Sequence, residues 1–340
     1  MNASVLFTTE RGLRHQQDAL DAAPEGLRVT MLRQPDKATL KAALADADYL
    51  ISERTGVIDA DLIQAAPRLK LIQRLGSLTY DIDLEAAQAA GVAVCTYPVN
   101  SVIRVAEHTI LQMLALAKKL REVEAVALAA SPEWGASKRT NEDTFAYNWS
   151  HRSGVGQLWR RQVGIIGFGE IGLEVARRLK GWGCTLVYNK RRPLPPFAAA
   201  ELGLTYVDVD DLYAHSDYLI NLLPYFPNTD LLLNAAVFAR MKPGAFLVSC
   251  GSGSTIDEPA LAEAIRAGQL AGAALDTFEW EPLRADNPLI ALAKAGYNVL
   301  LTPHTAAGTA DAAEAGQTRA QDYTNILNHL AQRPLLYRVV

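Results

Sequence analysis

The sequence predicts an α/β protein of about two domains, each with a parallel sheet covered by helices on both faces. Short apolar runs of strand length alternate with segments of helical spacing up to Cys95, and a second series of the same kind begins at Gln162. This alternation is the pattern that parallel βαβ units produce. The length of 340 residues also exceeds that of one ordinary domain.

The first series contains five predicted strands: Val5–Thr8, Arg28–Met31, Tyr49–Ser52, Leu71–Arg74 and Val92–Cys95. Ala-rich stretches between them, such as Lys37–Ala45 and Ala60–Ala66, carry apolar residues at helical spacing and are predicted helices. One long uninterrupted helix is then predicted from about Ile103 to Leu128. The segment from Trp134 to Trp159 is rich in aromatic residues and has no period, which indicates a structured excursion.

The second series contains six predicted strands: Gln162–Ile166, Thr185–Tyr188, Tyr218–Leu222, Ala245–Ser249, Gly272–Ala274 and Val299–Leu301. An amphipathic helix is predicted over Leu173–Gly181, and the tail from Thr309 to Leu330 is predicted to form one more helix.

Composition excludes several classes of protein. The chain has 33 Lys and Arg against 37 Asp and Glu, a net charge of -4, so it has no general attraction for nucleic acid or anionic membranes. The apolar run at Met113–Ala117 is too short to span a bilayer, and the first residues lack the features of a signal peptide. The three cysteines are far apart, which favours reduced thiols in a cytoplasmic protein and predicts no metal site.

A GxGxxG pattern follows the strand at Gln162–Ile166 and opens a helix. In this context Gly167 permits a tight turn, Gly169 lets the backbone approach a pyrophosphate, and Gly172 lets the helix pack on the strand. The amides at the helix N-terminus then bind the phosphates. The predicted cofactor contacts of this turn are Gly167, Phe168, Gly169, Glu170 and Ile171.

The end of the next strand favours one dinucleotide over the other. NAD sites place a carboxylate there, whereas this chain has Asn189, Lys190, Arg191 and Arg192. Because an Arg pairs with a 2′-phosphate and a carboxylate repels it, these residues predict NADP, with NAD as the alternative.

Several ordered segments resemble the D-isomer-specific 2-hydroxyacid dehydrogenases, the family of phosphoglycerate dehydrogenase and glyoxylate/hydroxypyruvate reductase. Besides the glycine turn, they are Pro67–Ile72, Val105–Thr109, Met241–Ala245, Ile256–Leu261, Leu275–Pro282 and Leu301–His304. The resemblance, over about residues 45 to 330, implies two flavodoxin- or Rossmann-like domains with doubly wound parallel sheets and a cleft between them. Residues 1–102 with 305–340 would bind substrate, residues 103–304 would bind the dinucleotide, and the protein would be a homodimer.

The resemblance also implies the site residues. His304 matches the family's acid/base, and Glu281 matches the carboxylate that orients its imidazole. Asp276 matches a residue close to the nicotinamide, and Leu223 and Pro224 are further predicted cofactor contacts. The family's substrate-binding Arg is missing, because Ser252 occupies its position. A hydroxyl cannot replace a bidentate guanidinium, so ordinary 2-keto-acid reduction is in question.

The family's carboxylate-binding loop also departs from the pattern, with Leu78 and Tyr80 at usual Gly and Asp positions. The backbone amides from Gly76 and Ser77 to Leu78 remain candidates for binding a substrate carboxylate. Arg54 and Arg104 are candidate replacements for the missing Arg, and Arg74 is a weaker one.

Three functions stay open from the sequence. The first is an NAD(P)-dependent oxidoreductase acting on a small acid, with His304 as acid/base. The second is an NAD(P)-binding enzyme of elimination or epimerisation, and the third is a dinucleotide-binding sensor. Retention of both His304 and Glu281 argues against the sensor, because a sensor needs no acid/base pair.

Overall fold

The computed structural model describes residues 3–53, 56–308 and 319–340. The chain divides into two compact units, one formed by Met1–Val102 with Gly308–Val340 and the other by Ile103–Ala307. The chain therefore returns to the first unit at residue 308, three residues later than the predicted return at 305.

The first unit contains a five-stranded sheet whose paired strands are parallel, in the order β2-β1-β3-β4-β5. The strands are β1 (Ala3–Thr9), β2 (Leu27–Arg33), β3 (Tyr49–Glu53), β4 (Leu71–Leu75) and β5 (Ala93–Tyr97). The helices between them are α1 (Leu13–Asp21), α2 (Lys37–Leu44), α3 (Ala60–Gln64) and α4 (Leu84–Ala89). Asp36, Asp59 and Asp83 begin the last three of these helices, each accepting a hydrogen bond from a first-turn amide.

Both faces of this sheet are covered. Alternate strand residues divide between two apolar clusters, with Leu6 and Leu50 on one face and Phe7 and Ile51 on the other. Helices α2 to α4 contribute to the first cluster, and the C-terminal Tyr323 and Ile326 contribute to the second. Burial on both faces explains why these strands read as continuous apolar runs.

The second unit contains a seven-stranded sheet whose paired strands are also parallel, in the order β12-β11-β10-β9-β6-β7-β8. The strands are β6 (Gln162–Ile166), β7 (Thr185–Asn189), β8 (Leu204–Tyr206), β9 (Tyr218–Asn221), β10 (Ala245–Ser249), β11 (Leu270–Leu275) and β12 (Val299–Leu301). Its helices are α5 (Asn100–Ala117, which begins in the first unit), α6 (Leu120–Ala129), α7 (Glu170–Leu179), α8 (Pro196–Leu202), α9 (Val209–His215), α10 (Ala235–Arg240), α11 (Glu258–Arg266) and α12 (Pro288–Lys294). The strand order reverses between β6 and β9, where α/β sheets open a ligand crevice at their carboxyl edge.

The fold class predicted from the sequence, α/β with parallel sheets in two units, is confirmed. The edge strand β8 escaped prediction because three residues carry too little periodicity. Helix α7 begins at Glu170, three residues before the predicted start at Leu173.

The prediction of one helix from Ile103 to Leu128 is wrong. The chain breaks between α5 and α6, where Lys119 has a φ of 49°. The backbone N–H of Gly156 donates to the carbonyl of Ala117 at 2.6 Å, and the side-chain amide of Asn298 donates to the carbonyl of Leu116 at 3.0 Å. Because distant groups satisfy these carbonyls, the helix ends where its own sequence would let it continue.

Two other predicted segments differ from expectation. A short 3₁₀ turn, Pro132–Trp134, leads into the excursion, which is irregular from there to the start of β6. In the tail, residues 309–318 lie outside the described residues, Arg319–Tyr323 forms a 3₁₀ turn, and Thr324–Leu330 forms a helix. Within the three described ranges, no helix is both long and apolar enough to cross a bilayer.

Candidate active site

The glycine turn after β6 has the geometry that the sequence predicts. Gly167 has a φ of +80°, and a Cβ there would lie 2.6 Å from the backbone nitrogen of Leu223. A Cβ on Gly172 would lie 2.9 Å from the ring of Phe168, which is buried against Tyr188. Gly169, by contrast, has an ordinary φ of -130° and open space around its missing side chain. Protein packing explains the first two glycines and leaves the third to be explained by a ligand.

Gly169 directly precedes helix α7, and no side chain forms a capping hydrogen bond with the first amides of this helix. Within the described residues, seven helices are preceded by an Asp or Asn whose side chain caps them, as Asp257 caps α11 and Asn287 caps α12. Helices α1, α6 and α8 resemble α7 in having no such cap. An uncapped N-terminus beside an open glycine fits a dinucleotide pyrophosphate, because the amides and the helix dipole both favour an anion.

The peptide between Leu222 and Leu223 lies at the centre of this carboxyl edge. A Cβ on Gly251 would lie 2.8 Å from the nitrogen of Leu223, so Gly167 and Gly251 both approach the same peptide closely. The carbonyl of Leu223 also accepts the N–H of Ser252 at 2.8 Å. The predicted cofactor contacts Leu223 and Pro224 therefore adjoin both the glycine turn and the segment that carries Ser252.

The basic turn after β7 is held by its neighbours. Asn189 donates its side-chain amide to the carbonyl of Val207 at 2.8 Å, and the hydroxyl of Tyr188 accepts the N–H of Leu194 at 2.8 Å. Arg191 and Arg192 are exposed, and the Arg191 guanidinium lies 5.8 Å from the ring centroid of Phe226. The amide of Asn189 thus joins two segments of the protein, while the two Arg side chains face solvent.

His304 and Glu281 form a direct pair at the carboxyl edge of the same sheet. The distance between His304 Nδ1 and Glu281 Oε2 is 2.7 Å, and the other oxygen of Glu281 accepts the N–H of Phe278 at 3.0 Å. The His304 side chain is 58% exposed. Because Nδ1 is committed to Glu281, Nε2 is the nitrogen that can exchange a proton with a ligand.

Asp276 fixes the loop that carries His304. One of its oxygens accepts the Thr302 hydroxyl at 2.6 Å and the Thr305 N–H at 3.0 Å, and the other accepts the Ala306 N–H at 2.9 Å. The main chain of His304 has a φ of 54°, a conformation that costs free energy for a residue with a Cβ. The N–H of His304 bonds to the Asp276 carbonyl at 2.8 Å, which stabilises this conformation. Asp276 therefore has a clear structural role in addition to the predicted cofactor contact.

Sequence reasoning missed three polar side chains near Asp276, of which Gln112 and Cys250 are buried and His108 is partly buried. His108 Nε2 lies 3.1 Å from the Thr302 hydroxyl and 3.5 Å from the Asp276 carboxylate. Gln112, one helical turn later on α5, donates to the Thr302 hydroxyl and accepts from the thiol of Cys250 at 3.4 Å. Burial raises the pKa of Cys250 to about 12, so this thiol remains a donor. The signal that could have found His108 and Gln112 is their spacing, because they form a polar pair four residues apart in an apolar helix.

Ser252 begins a short 3₁₀ turn, Gly253–Thr255. Its carbonyl accepts both the N–H of Thr255 at 3.1 Å and the Thr255 hydroxyl at 2.6 Å. A Cβ on Gly253 would overlap the backbone of Phe278. The turn bearing Ser252 is therefore packed directly against the loop that contains Glu281.

The candidates in the first unit fare differently. The N–H of Gly76 donates to the carbonyl of Tyr97 at 2.8 Å, so this amide is already bonded within the fold, and the contact of Gly76 with a substrate stays a prediction. The cause is an isolated bridge between Gly76 and Tyr97 that the loop sequence does not reveal. Ser77 follows it in the loop and makes contacts of its own. Arg74 is buried and bonds to Asp81 at 2.9 Å, which gives it a structural role.

Two further Arg candidates have separate outcomes. Arg104, which belongs to the second unit, donates from Nε to the carbonyl of Ala307 at 3.0 Å. Arg54 lies outside the described residues.

A buried ionic cluster occupies the carboxyl ends of β1 and β3, where the first sheet reverses its strand order. Arg319 bonds to Glu53 at 3.1 Å and to Asp322 at 2.8 Å, and Arg11 bonds to Glu53 at 3.3 Å. Burial opposes the ionisation of both acids. The two guanidiniums nevertheless hold the pKa of Glu53 below its ordinary value, whereas burial raises the pKa of Asp322 to about 6. The sequence offered no signal for this cluster, because Arg319 and Glu53, which join its two halves, are 266 residues apart.

The chain is similar in sequence and in fold to several known proteins. The family model described as D-isomer specific 2-hydroxyacid dehydrogenase, NAD binding domain, matches residues 110–306. The chain is 33% identical over 304 residues to D-3-phosphoglycerate dehydrogenase of Mycobacterium leprae, which covers 89% of this chain and 53% of that protein. It is 34% identical over 279 residues to glyoxylate reductase of Thermococcus onnurineus, which covers 82% and 79%. A crystal structure of a Pyrococcus horikoshii protein matches with a TM-score of 0.59 and 28% identity, covering 100% of this chain and 95% of that one. The chain thus spans about half the length of the phosphoglycerate dehydrogenase it matches.

Proposed function

Because this chain belongs to the D-isomer-specific 2-hydroxyacid dehydrogenase family and contains its NAD binding domain, we propose that it is an NAD(P)-dependent oxidoreductase acting on a small hydroxy or keto acid. The observation that supports this best is the 2.7 Å pair between His304 and Glu281. The pair lies at the carboxyl edge of the sheet that also carries the glycine turn. One unit therefore holds both an acid/base group and a fitting dinucleotide site.

The residues divide the chemistry between them. A bound nicotinamide dinucleotide would supply or accept the hydride. In the direction of reduction, His304 gives the proton on Nε2 to the oxygen of the substrate carbonyl, and in oxidation it takes that proton back. Glu281 holds the imidazole by Nδ1 and fixes the orientation of the ring. Asp276 keeps the His304 loop in place through the hydrogen bonds of its carboxylate.

A direct test follows the absorbance of the reduced cofactor with a panel of 2-keto acids. We expect turnover of at least one acid, and a loss of 10²-fold or more in His304→Ala because general acid catalysis contributes about that much. His215→Ala is the matched control, since His215 is an exposed histidine of the same unit. No turnover with any acid by the native protein, or equal turnover by His304→Ala, would contradict the proposal.

The cofactor preference is proposed to be NADP over NAD. Arg191 and Arg192 are exposed beside the end of β7, and the segment 190–195 that follows this strand contains no Asp or Glu to repel a 2′-phosphate. In Arg191→Ser/Arg192→Ser, the dissociation constant for NADPH should rise at least tenfold while that for NADH changes little. Arg266→Ser removes an exposed Arg elsewhere in the unit and serves as the control. A native protein that binds NADH more tightly would refute this preference.

The remaining assignments follow from the same function. The first unit is proposed to bind the acid through Ser77, neighbouring loop amides and Arg54, and the second unit is proposed to bind the dinucleotide. Arg104 of the second unit is the alternative to Arg54 as the cation for the acid. A homodimer is supported by the exposed Phe145 and Tyr147 in the excursion, which are 85% and 82% exposed. Sedimentation that shows a monomer at micromolar concentration would remove the dimer. The three cysteines are free, which supports a cytoplasmic location that cell fractionation can test.

A further inference from the structure

Glu258 is a buried carboxylate that no cation neutralises among the residues the structure describes. Its side chain lies in the first turn of α11, and the residue is 3% exposed. One oxygen accepts the N–H of Glu279 at 2.9 Å, and the other accepts the side-chain amide of Asn287. Burial raises its pKa above the ordinary value, and the charges of Glu279 and Glu281 add to that effect.

A buried carboxylate with only neutral donors is expensive in free energy, because two hydrogen bonds do not fully replace its hydration. Both carboxylate oxygens of Glu258 bind the same loop between β11 and α12. Glu279 lies near the start of this loop, and Asn287 lies at its end.

That loop carries Glu281. Two consecutive amides in it bond to two carboxylates, because Phe278 donates to Glu281 at 3.0 Å and Glu279 donates to Glu258. The far oxygen of Glu281 then contacts His304 Nδ1. Three hydrogen bonds, the first two joined by the Phe278–Glu279 peptide, therefore link Glu258 to the imidazole, and a shift of that peptide would move Glu281 away from it.

We propose that Glu258 is a positioning residue for the proton-transfer pair, which fixes the loop so that Glu281 stays on His304. This inference rests on the proposed function, in which His304 exchanges the proton. Glu258 does not touch the reacting atoms and acts only through the loop.

The donor at Asn287 has a fixed direction, which makes a sharp test possible. Its Oδ1 accepts the N–H of Leu289 at 2.9 Å to cap α12, so its amide must point toward Glu258. A glutamine at position 258 has one acceptor where the loop requires two. Glu258→Gln therefore sets two donors against each other, whichever way the amide turns. Adding Asn287→Asp reverses the polarity of that contact and still caps the helix.

The experiment compares native protein, Glu258→Gln, the double variant Glu258→Gln/Asn287→Asp and the control Glu263→Gln, whose side chain is exposed on the same helix. Amide hydrogen exchange of Phe278 and Glu279 reports the loop directly. With NADPH and a 2-keto acid that the native protein turns over, kcat reports proton transfer by the His304–Glu281 pair. The dissociation constant of NADPH reports the integrity of the cofactor site.

In Glu258→Gln, exchange at both amides should accelerate, and kcat should fall about tenfold while NADPH affinity stays within about twofold. In the double variant, amide exchange and kcat should both return most of the way to their native values. Glu263→Gln should match the native protein in both measurements. Native kcat in Glu258→Gln would overturn the proposal, as would accelerated exchange without any loss of kcat.

A second variant covers the case in which Glu258→Gln does not fold. Asn287→Ser keeps a capping hydroxyl and removes only the donor to Glu258, so we expect a kcat that is several-fold lower with a near-native unfolding midpoint. Unchanged kcat in that variant would also overturn the role. If the native protein turns over no acid, the proposed function fails, whereas native amide exchange in Glu258→Gln would refute the positioning role independently.

Discussion

Gly169 gives a test that separates ligand contact from protein stability. Its φ of -130° suits any residue, and no atom lies within 4 Å of the Cβ that Gly169→Ala would add. The methyl group would instead occupy the space in which a pyrophosphate approaches the first amides of α7. One charge-assisted hydrogen bond is worth about 1.5–3 kcal/mol, so the loss of one should weaken dinucleotide binding about 10- to 100-fold.

The stability of Gly169→Ala should hardly change. Alanine is a poorer helix cap than glycine, so we expect a loss of about 1 kcal/mol or less. Gly167→Ala should behave differently, because it combines a φ of +80° with a Cβ 2.6 Å from backbone. The left-handed conformation costs about 1–2 kcal/mol and the overlap about 1–3 kcal/mol more. Gly181→Ala isolates the first cost, since Gly181 has a φ of +90° and open space.

The assay pairs fluorescence titration of NADPH with urea unfolding for all three variants. We expect Gly169→Ala to lose binding alone, Gly167→Ala to lose binding and stability, and Gly181→Ala to lose a little stability alone. Gly169→Ala that binds NADPH like the native protein would refute the reasoning, because the open space beside α7 would then not be the phosphate site.

Other expectations concern positions elsewhere in the chain. Ser252→Arg should raise turnover of glyoxylate or hydroxypyruvate little or not at all, because Ser252 begins a turn packed on the Phe278 backbone; a gain of orders of magnitude would show an ordinary pocket with one missing Arg. Gly253→Ala should destabilise the protein by about 1–3 kcal/mol, since its Cβ overlaps that same backbone, and a native unfolding midpoint would contradict this. Asp322 has its pKa raised from 3.8 to about 6, so the folded protein holds a proton that the unfolded chain releases between those values. Native stability therefore falls as pH rises through this window, and Asp322→Asn should gain up to about 3 kcal/mol relative to native between pH 4 and 7 in urea unfolding. A pH-independent difference would refute it.

The sequence by itself determined the features that are local in the chain. Buried strands on two-sided sheets produce continuous apolar runs, so the alternation of β6 and α7 or of β3 and α3 is visible without coordinates. The spacing of the glycine turn is equally local, and Gly172 packs against the nearby Phe168. Gly167, by contrast, packs against Leu223, which follows the spatially adjacent strand β9. The motifs that contain Glu281 and His304 also identified both residues from the sequence. Only the resemblance to the family implied that the two side chains would form a pair.

Only the tertiary structure decided how distant polar groups pair. The break at Lys119 depends on Gly156 and Asn298, which satisfy the last carbonyls of α5 from elsewhere in the chain. The N–H of Gly76 is taken by Tyr97, and Glu258 bonds to a loop that follows it by about twenty residues. Hydrophobic periodicity records which face of an element is buried, whereas a buried donor takes whichever acceptor the packed chain brings within reach.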